Sequence, residues 1–193
     1  MSTWKQAEFK FHKGEDMQKF FVLVVLLGLL AIPMMASDTP RVAVFGGWQY
    51  QHFGGDLSDL GNVPKGFDFS VTGNLNKHIG VTGDFGGSFK SVDGFSGHLY
   101  TYSGGPVIQG DAGGRINPFV HFLFGGFTIG GSIVDVGGGS TNGYTMMPGG
   151  GVDAKIAKSV AIRVIQFDWV YLHANGVGEK SNVRLASGVV FRF

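Results

Sequence analysis

Cysteine is absent from all 193 residues, which excludes disulfides, thiolate metal sites and a cysteine nucleophile. Charge is scarce: charged residues make up 15%, and 15 basic side chains nearly cancel 14 acidic ones. Phosphate binding needs a basic stripe that such a chain does not have, so nucleic acid is excluded as a partner. From Arg41 onward no stretch carries the 3.6-residue periodicity of an amphipathic helix. Signatures of catalysis and ligation are missing too. The histidines, at positions 12, 52, 78, 98, 121 and 173, contain no pair at the spacing of a zinc helix. "GGGVDAKIAKS" lacks the Gly-Lys-Ser/Thr ending of a phosphate loop, and Ser, His and Asp are scattered without a motif. Asp56, Ser58, Asp59 and Asn62 crowd oxygens into one segment without the EF-hand pattern, which reads as a solvated acidic loop. His121, beside "FLFGG", reads as a packed residue with one hydrogen bond. No catalytic, cofactor or metal site is expected.

What is abundant is glycine, with 34 residues against a usual share of ~7%, and no three-residue period orders it into collagen. The N-terminus explains itself separately. From Met17 the chain reads "MQKFFVLVVLLGLLAIPMMAS": one Lys, an apolar run from Phe20 to Ile32, a Pro, then small residues. That is the layout of a cleavable signal peptide, and the run is shorter than the ~20 residues of a spanning helix or membrane anchor. Residues 1–37 are therefore read as a leader with its core at about 17–37, the mature chain beginning near Ala36 to Thr39. Residues 1–16 precede a second Met and read as an upstream start or an extended leader, outside the fold.

Residues 41–193 form the domain. Apolar and polar residues alternate there in stretches of about ten separated by Gly, Asn, Asp and Ser, the period-2 signature of half-buried strands. Eight are expected: 42–53, 66–76, 79–89, 96–108, 117–129, 143–155, 160–173 and 183–193. In "GFDFSVTGNL", Phe67, Phe69, Val71 and Leu75 share one face and Asp68, Ser70, Thr72 and Asn74 the other. "VIQFDWVYL" sets Ile165, Phe167, Trp169 and Tyr171 against Gln166 and Asp168. In the last strand Val183, Leu185, Val189, Phe191 and Phe193 oppose Arg184 and Arg192. Nothing in the chain is left over to cover the apolar faces. The gaps alternate as well: tight after the second, fourth and sixth stretches, longer and polar or Gly-rich after the first, third, fifth and seventh ("GGDLSDLGNVPK", "KSVDGFS", "GSIVDVGGGSTN", "ANGVGEKSN"). Short turns at one end and long loops at the other are the pattern of an up-and-down barrel in an outer membrane, with lipid as the cover.

On these residues the chain resembles the small eight-stranded bacterial outer-membrane barrels, the OmpA-like and OmpX-like β-barrel domains. The resemblance spans about 41–193, and its most specific part is the ending "SNVRLASGVVFRF". It implies an all-β, eight-stranded antiparallel up-and-down transmembrane barrel in the bacterial outer membrane, exported through the signal peptide. It also implies that Leu185, Val189, Phe191 and Phe193 are read by the barrel-assembly machinery; Ser187 departs from the pattern by being small and polar.

Energetics sets the faces. A Lys or Arg on the lipid face near mid-bilayer costs about 2–4 kcal/mol, so Arg184 and Arg192 belong inside or at a rim, and Asp68, Asp84 and Asp168 inside with Arg184 as an interior charge network. Eight strands leave an interior just wide enough for side chains, so a plug of paired charges is expected in place of a channel. Trp48, Tyr50, Tyr100, Tyr102, Trp169 and Tyr171 are the expected interfacial aromatics. Pro106, Pro118 and Pro148 are awkward in a barrel without edges, and Arg163 and Asp168 fall on opposite faces unless alternation breaks, so bulges or strand ends are expected there. The functional expectation is a non-enzymatic outer-membrane barrel, structural or interacting with a surface partner through its outer loops. A secreted lipocalin-like carrier of an apolar ligand and an outer-membrane barrel enzyme are the alternatives.

Overall fold

The computed structural model describes residues 39–55, 61–92, 95–133, 137–174 and 176–193. The leader and its cleavage region up to Asp38 lie outside the described residues, as do Asp56, Ser58 and Asp59 of the acidic loop.

The strands are β1 (Val42–His52), β2 (Asn62–Val63), β3 (Lys65–Asn74), β4 (Ile79–Val92), β5 (Phe95–Gln109), β6 (Ile116–Ile133), β7 (Gly137–Ala157), β8 (Val160–Ala174) and β9 (Val177–Arg192). β2 is a two-residue ribbon on the last residues of β1. The other eight are antiparallel to their chain neighbours, and β9 returns to β1 in register from Ala43↔Arg192 to His52↔Val183. That last pairing closes the sheet into an eight-stranded up-and-down barrel, with no open edge along the closed part of the wall. Among the described residues there is no α-helix.

The end carrying Val42 and Phe193, here the near end, has compact turns. Asn76 Oδ1 accepts the backbone N–H groups of His78 (2.8 Å) and Ile79 (2.9 Å), and Asp111 Oδ1 accepts that of Gly113 (2.9 Å), each side chain standing in for a turn carbonyl. At the far end the strands run on where loops were expected. Pairing continues to Val92↔Phe95, Ile133↔Gly137 and Ala174↔Val177. Most of "KSVDGFS", "GSIVDVGGGSTN" and "ANGVGEKSN" is therefore hairpin strand, a correction to the loop reading. The physical reason is that a ladder is held by backbone groups, and Gly, Ser, Thr and Asn on both faces remove the alternation without removing the pairing.

Sidedness is uniform around the wall. Trp48, Phe67, Phe69, Phe85, Phe122, Phe124, Phe167, Trp169 and Phe191 point outward, each between 38 and 54% exposed. Inside, Phe53, Val63, Leu99, Leu123, Phe127, Met147, Val170 and Leu172 pack an apolar cluster toward the far end, and Phe45, Ala161, Ala186 and Val190 a smaller one toward the near end. Between and below them the interior is charged.

Two prolines are absorbed by gaps in the ladder. Pairing of β5 with β6 lapses between Gly104↔Phe124 and Val107↔His121, at Pro106, and that of β7 with β8 between Met146↔Tyr171 and Gly149↔Asp168, at Pro148. A residue without an N–H leaves such a gap. Pro118 sits one step beyond the last β5–β6 pair, and its carbonyl accepts the N–H of Gly110 at 2.8 Å. Alternation breaks once in β8, where the register to β9 shifts between Arg163 and Gln166. Val164 and Ile165 both face outward across that bulge, so Arg163 and Asp168 both face inward.

Candidate functional site: the interior charged layer

Arg184 occupies an inward position of β9 opposite Gln51 of β1 and Asp168 of β8, and it is 1% exposed. Its guanidinium is the hub. Nε donates to Asp168 Oδ2 at 2.7 Å, while Nη1 and Nη2 donate to Asp84 Oδ1 and Oδ2 at 2.8 and 3.3 Å, reaching across the barrel to β4. Asp68 Oδ1, on β3, stands 3.7 Å from Nη1. The structure thus gathers Asp68, Asp84, Asp168 and Arg184 at one point. The planar fork of arginine suits such a bidentate, multi-strand contact in a way a lysine would not.

Asp168 is held from two further directions. His121 Nε2 lies 2.7 Å from its Oδ1, and Gln166 Nε2 donates to Oδ2 at 2.8 Å. The one hydrogen bond expected of His121 goes to a carboxylate, which makes the histidine part of the layer.

A second charged group lies nearer the near end. Arg163 donates from Nε to Asp153 Oδ1 at 2.9 Å and from Nη1 to Gln166 Oε1 at 2.6 Å, so Gln166 bridges the two groups. Arg192 Nη2 approaches Asp153 Oδ2 at 3.6 Å. The Arg163 guanidinium is also clamped between the rings of Phe45 and Phe119, at 4.2 and 4.4 Å from their centroids, a cation–π sandwich. The alternation puts Gln166 on the face of Asp168, whereas Asp153 and the His121 contact have no signal in it.

Glycine supplies the room. A Cβ on Gly149 would collide with the carboxylate of Asp168, and one on Gly86 would lie 2.7 Å from Gln49 Oε1 and 2.9 Å from Thr101 Oγ1. Larger residues there would displace the layer. The space left beside it is a cavity of about 30 Å³, lined by Asp84, His121, Arg163 and Gln166 among others, which is room for a water and not for a solute.

On the outward face of β9, Val189, Phe191 and Phe193 are exposed and Leu185 is half-buried. Phe193 donates its backbone N–H to Val42 O (2.8 Å) and accepts from Val42 N (3.1 Å), so the chain's last residue is still in the ladder. The departure at Ser187 has a local cause. Its hydroxyl donates to the carbonyl of Arg163 at 3.0 Å, a group set apart by the bulge.

No protein-family model and no curated protein sequence matches the chain. Solved structures do. Ail, the attachment invasion locus protein of Yersinia pestis, superposes with a TM-score of 0.57 at 14% identity, covering 80% of this chain and 99% of that one. The N-terminal β-barrel domain of Pseudomonas aeruginosa OprF gives 0.56 at 14% identity, covering 80% and 98%. Neisserial surface protein A gives 0.55 at 14% identity, covering 79% and 96%. The chain has the fold of the small eight-stranded outer-membrane barrels.

In this outer-membrane barrel fold the aromatics expected at the interfaces all lie on the outer wall. Trp48, Tyr102 and Trp169 are exposed, and Tyr50, Tyr100 and Tyr171 half-buried. Trp48 Nε1 donates to the carbonyl of Pro64 at 2.7 Å, and Trp169 Nε1 to that of Lys180. Each indole thus presents an apolar body with its polar tip satisfied, the amphipathic arrangement that suits a membrane boundary.

Proposed function

We propose that the protein is an integral, non-enzymatic barrel of the bacterial outer membrane, wrapped by lipid, with the far-end hairpins on the cell surface in a structural or partner-binding role. The observation that carries this is the inverted sidedness: phenylalanine and tryptophan cover the outside, and Asp68, Asp84, Asp168 and Arg184 are sealed inside. A lipocalin-like carrier needs the opposite arrangement, an apolar cavity behind a polar surface. Lipid covers the belt at no cost in unpaired backbone, because the closed sheet satisfies its own hydrogen bonds. On this reading the signal peptide carries the chain across the inner membrane, and the outward stripe of Leu185, Val189, Phe191 and Phe193 is what the assembly machinery engages.

The test is fractionation of expressing cells followed by detergent extraction, with heated and unheated samples compared on an SDS gel. The folded barrel is expected in the outer-membrane fraction, starting near Ala36 to Thr39 by N-terminal sequencing, and its unheated band should migrate differently from the heated one. A water-soluble periplasmic product, or a helical circular dichroism spectrum, would overturn the reading.

A further inference from the structure

Three turns close the barrel at the near end: 75–78 between β3 and β4, 110–115 between β5 and β6, and 158–159 between β7 and β8. Each presents one exposed cation: Lys77, Arg115 and Lys158. Lys155 adds a fourth charge beside them, its Nζ donating to the carbonyl of Gly113 at 3.2 Å. Backbone bonds tie the turns to their neighbours, the N–H of Ala112 donating to Lys77 O at 2.9 Å and that of Lys155 to Arg115 O at 2.8 Å. Cations from three separate turns are thereby held on one rim. The same turns hold one acid, Asp111, whose Oδ1 already accepts the N–H of Gly113.

Exposed hydrocarbon adjoins every one of these turn cations. Leu75, Ile116 and Ile156 stand within two residues of Lys77, Arg115 and Lys158, and with Phe193 they are the four most exposed large apolar side chains among the described residues. An occupant of this rim therefore has to offer hydrocarbon against the wall and negative charge at the turns, in that order along the barrel axis.

We infer that the near-end rim binds the headgroups of anionic glycerophospholipids, such as phosphatidylglycerol, in the leaflet that it meets. This rests on the outer-membrane reading and adds which lipid gathers at that end. A bilayer leaflet supplies acyl chain and headgroup in the required order around the whole perimeter, whereas a glycan strand of the cell wall leaves Leu75, Ile116 and Ile156 uncovered. Lysine and arginine stems lie along apolar surface while their charged heads reach the headgroup level. A zwitterionic headgroup brings no net charge to offset the cations; an anionic one does, and clustered Lys and Arg at a membrane surface recognise it on that basis.

The experiment puts a reporter at this rim. The mature chain, which lacks Trp4, carries Trp48→Phe, Trp169→Phe and Ile156→Trp, so that its one tryptophan lies beside Lys158, and it is refolded into phosphatidylcholine bilayers and checked by its heat-shifted band. Quenching by brominated phosphatidylglycerol is compared with quenching by brominated phosphatidylcholine. The anionic lipid is expected to associate with the rim roughly threefold more strongly or better. The preference should fall toward one in about 1 M salt, where the Debye length shrinks to about 3 Å. It should also vanish in Lys77→Gln/Arg115→Gln/Lys158→Gln and survive in Lys77→Arg/Lys158→Arg. Equal quenching by the two lipids in the folded reporter overturns the inference, as does a preference that the triple variant leaves unchanged. Equal quenching together with sedimentation of the barrel on purified cell-wall sacculi would assign the rim to the wall instead. A tryptophan that neither lipid quenches, or a chain that shows no heat shift in bilayers, would remove the membrane reading itself, and the two failures are thus told apart.

Discussion

Arg184 carries more of the interior than any other side chain, because three carboxylates on three different strands converge on it. Removing one partner of a buried ion pair costs ~3–5 kcal/mol, since the other charge is left without compensation. Arg184→Met leaves Asp68, Asp84 and Asp168 facing one another, so it is expected at the top of that range by urea unfolding in lipid or detergent. Asp168→Asn should cost less, because Arg184 retains Asp84. The double variant should lose less than the sum of the two, and additivity in the cycle would show that the contact carries no coupling. How much of this layer could be read beforehand depends on the residue. Asp68, Asp84 and Arg184 sit in unbroken alternating runs, so the cost of a charge in lipid is enough to turn them inward. Asp153 and Gln166 meet Arg163 through the β8 bulge, which turns Arg163 to their side by a shift the period-2 pattern does not encode. His121 finds Asp168 two strands away, and sequence periodicity holds no information about that register.

At the scale of the element, near-end strand boundaries were legible to within a residue or two, because turn formers such as Asn76 and Asp111 sit beside strongly alternating strands. Far-end boundaries were not, since the Gly- and Ser-rich stretch 137–143 has no apolar-polar alternation to mark it and still pairs with β6 through its backbone. β9 is the element with a second burden. If Phe193 were only a packed terminus, Phe193→Ala would lose part of the ~1.5–3 kcal/mol of a buried aromatic, and it is already 71% exposed. Its outward position leaves it available to a partner during assembly. A chain ending at Arg192 is therefore expected to refold into detergent in vitro, where the remaining β1–β9 register suffices, and to accumulate poorly in the outer membrane of cells. Normal insertion in cells, measured by the heat-shifted band in the outer-membrane fraction, would mean that Phe193 is merely where the chain stops.

At the scale of the whole molecule, closure and sidedness together decide what the barrel can transmit. The wall is continuous from β1 round to β9, so a solute has only the interior as a route. Phe45, Leu123, Met147, Gln49, Gln51 and Arg184 are large side chains sealed within that interior. Two cavities lie on separate linings, one of about 30 Å³ and one of about 290 Å³. To join them, an ion would have to displace Arg184 from Asp84 and Asp168, and that route breaks the charge-assisted hydrogen bonds that hold the layer. Ion pairs this deeply buried are also screened little by salt, so raising ionic strength offers no easier path. The purified barrel in a planar bilayer is accordingly expected to give no steady single-channel current at either low or high salt. A variant carrying both Arg184→Ala and Asp84→Ala removes the hub and the far side of its bridge together, and is expected to show current where the wild type is silent, provided its heat-shifted band persists. Steady conductance in the wild type, or sugar entry into liposomes that contain it, would mean that the layer is a gate and that a porin-like role has to replace the closed barrel.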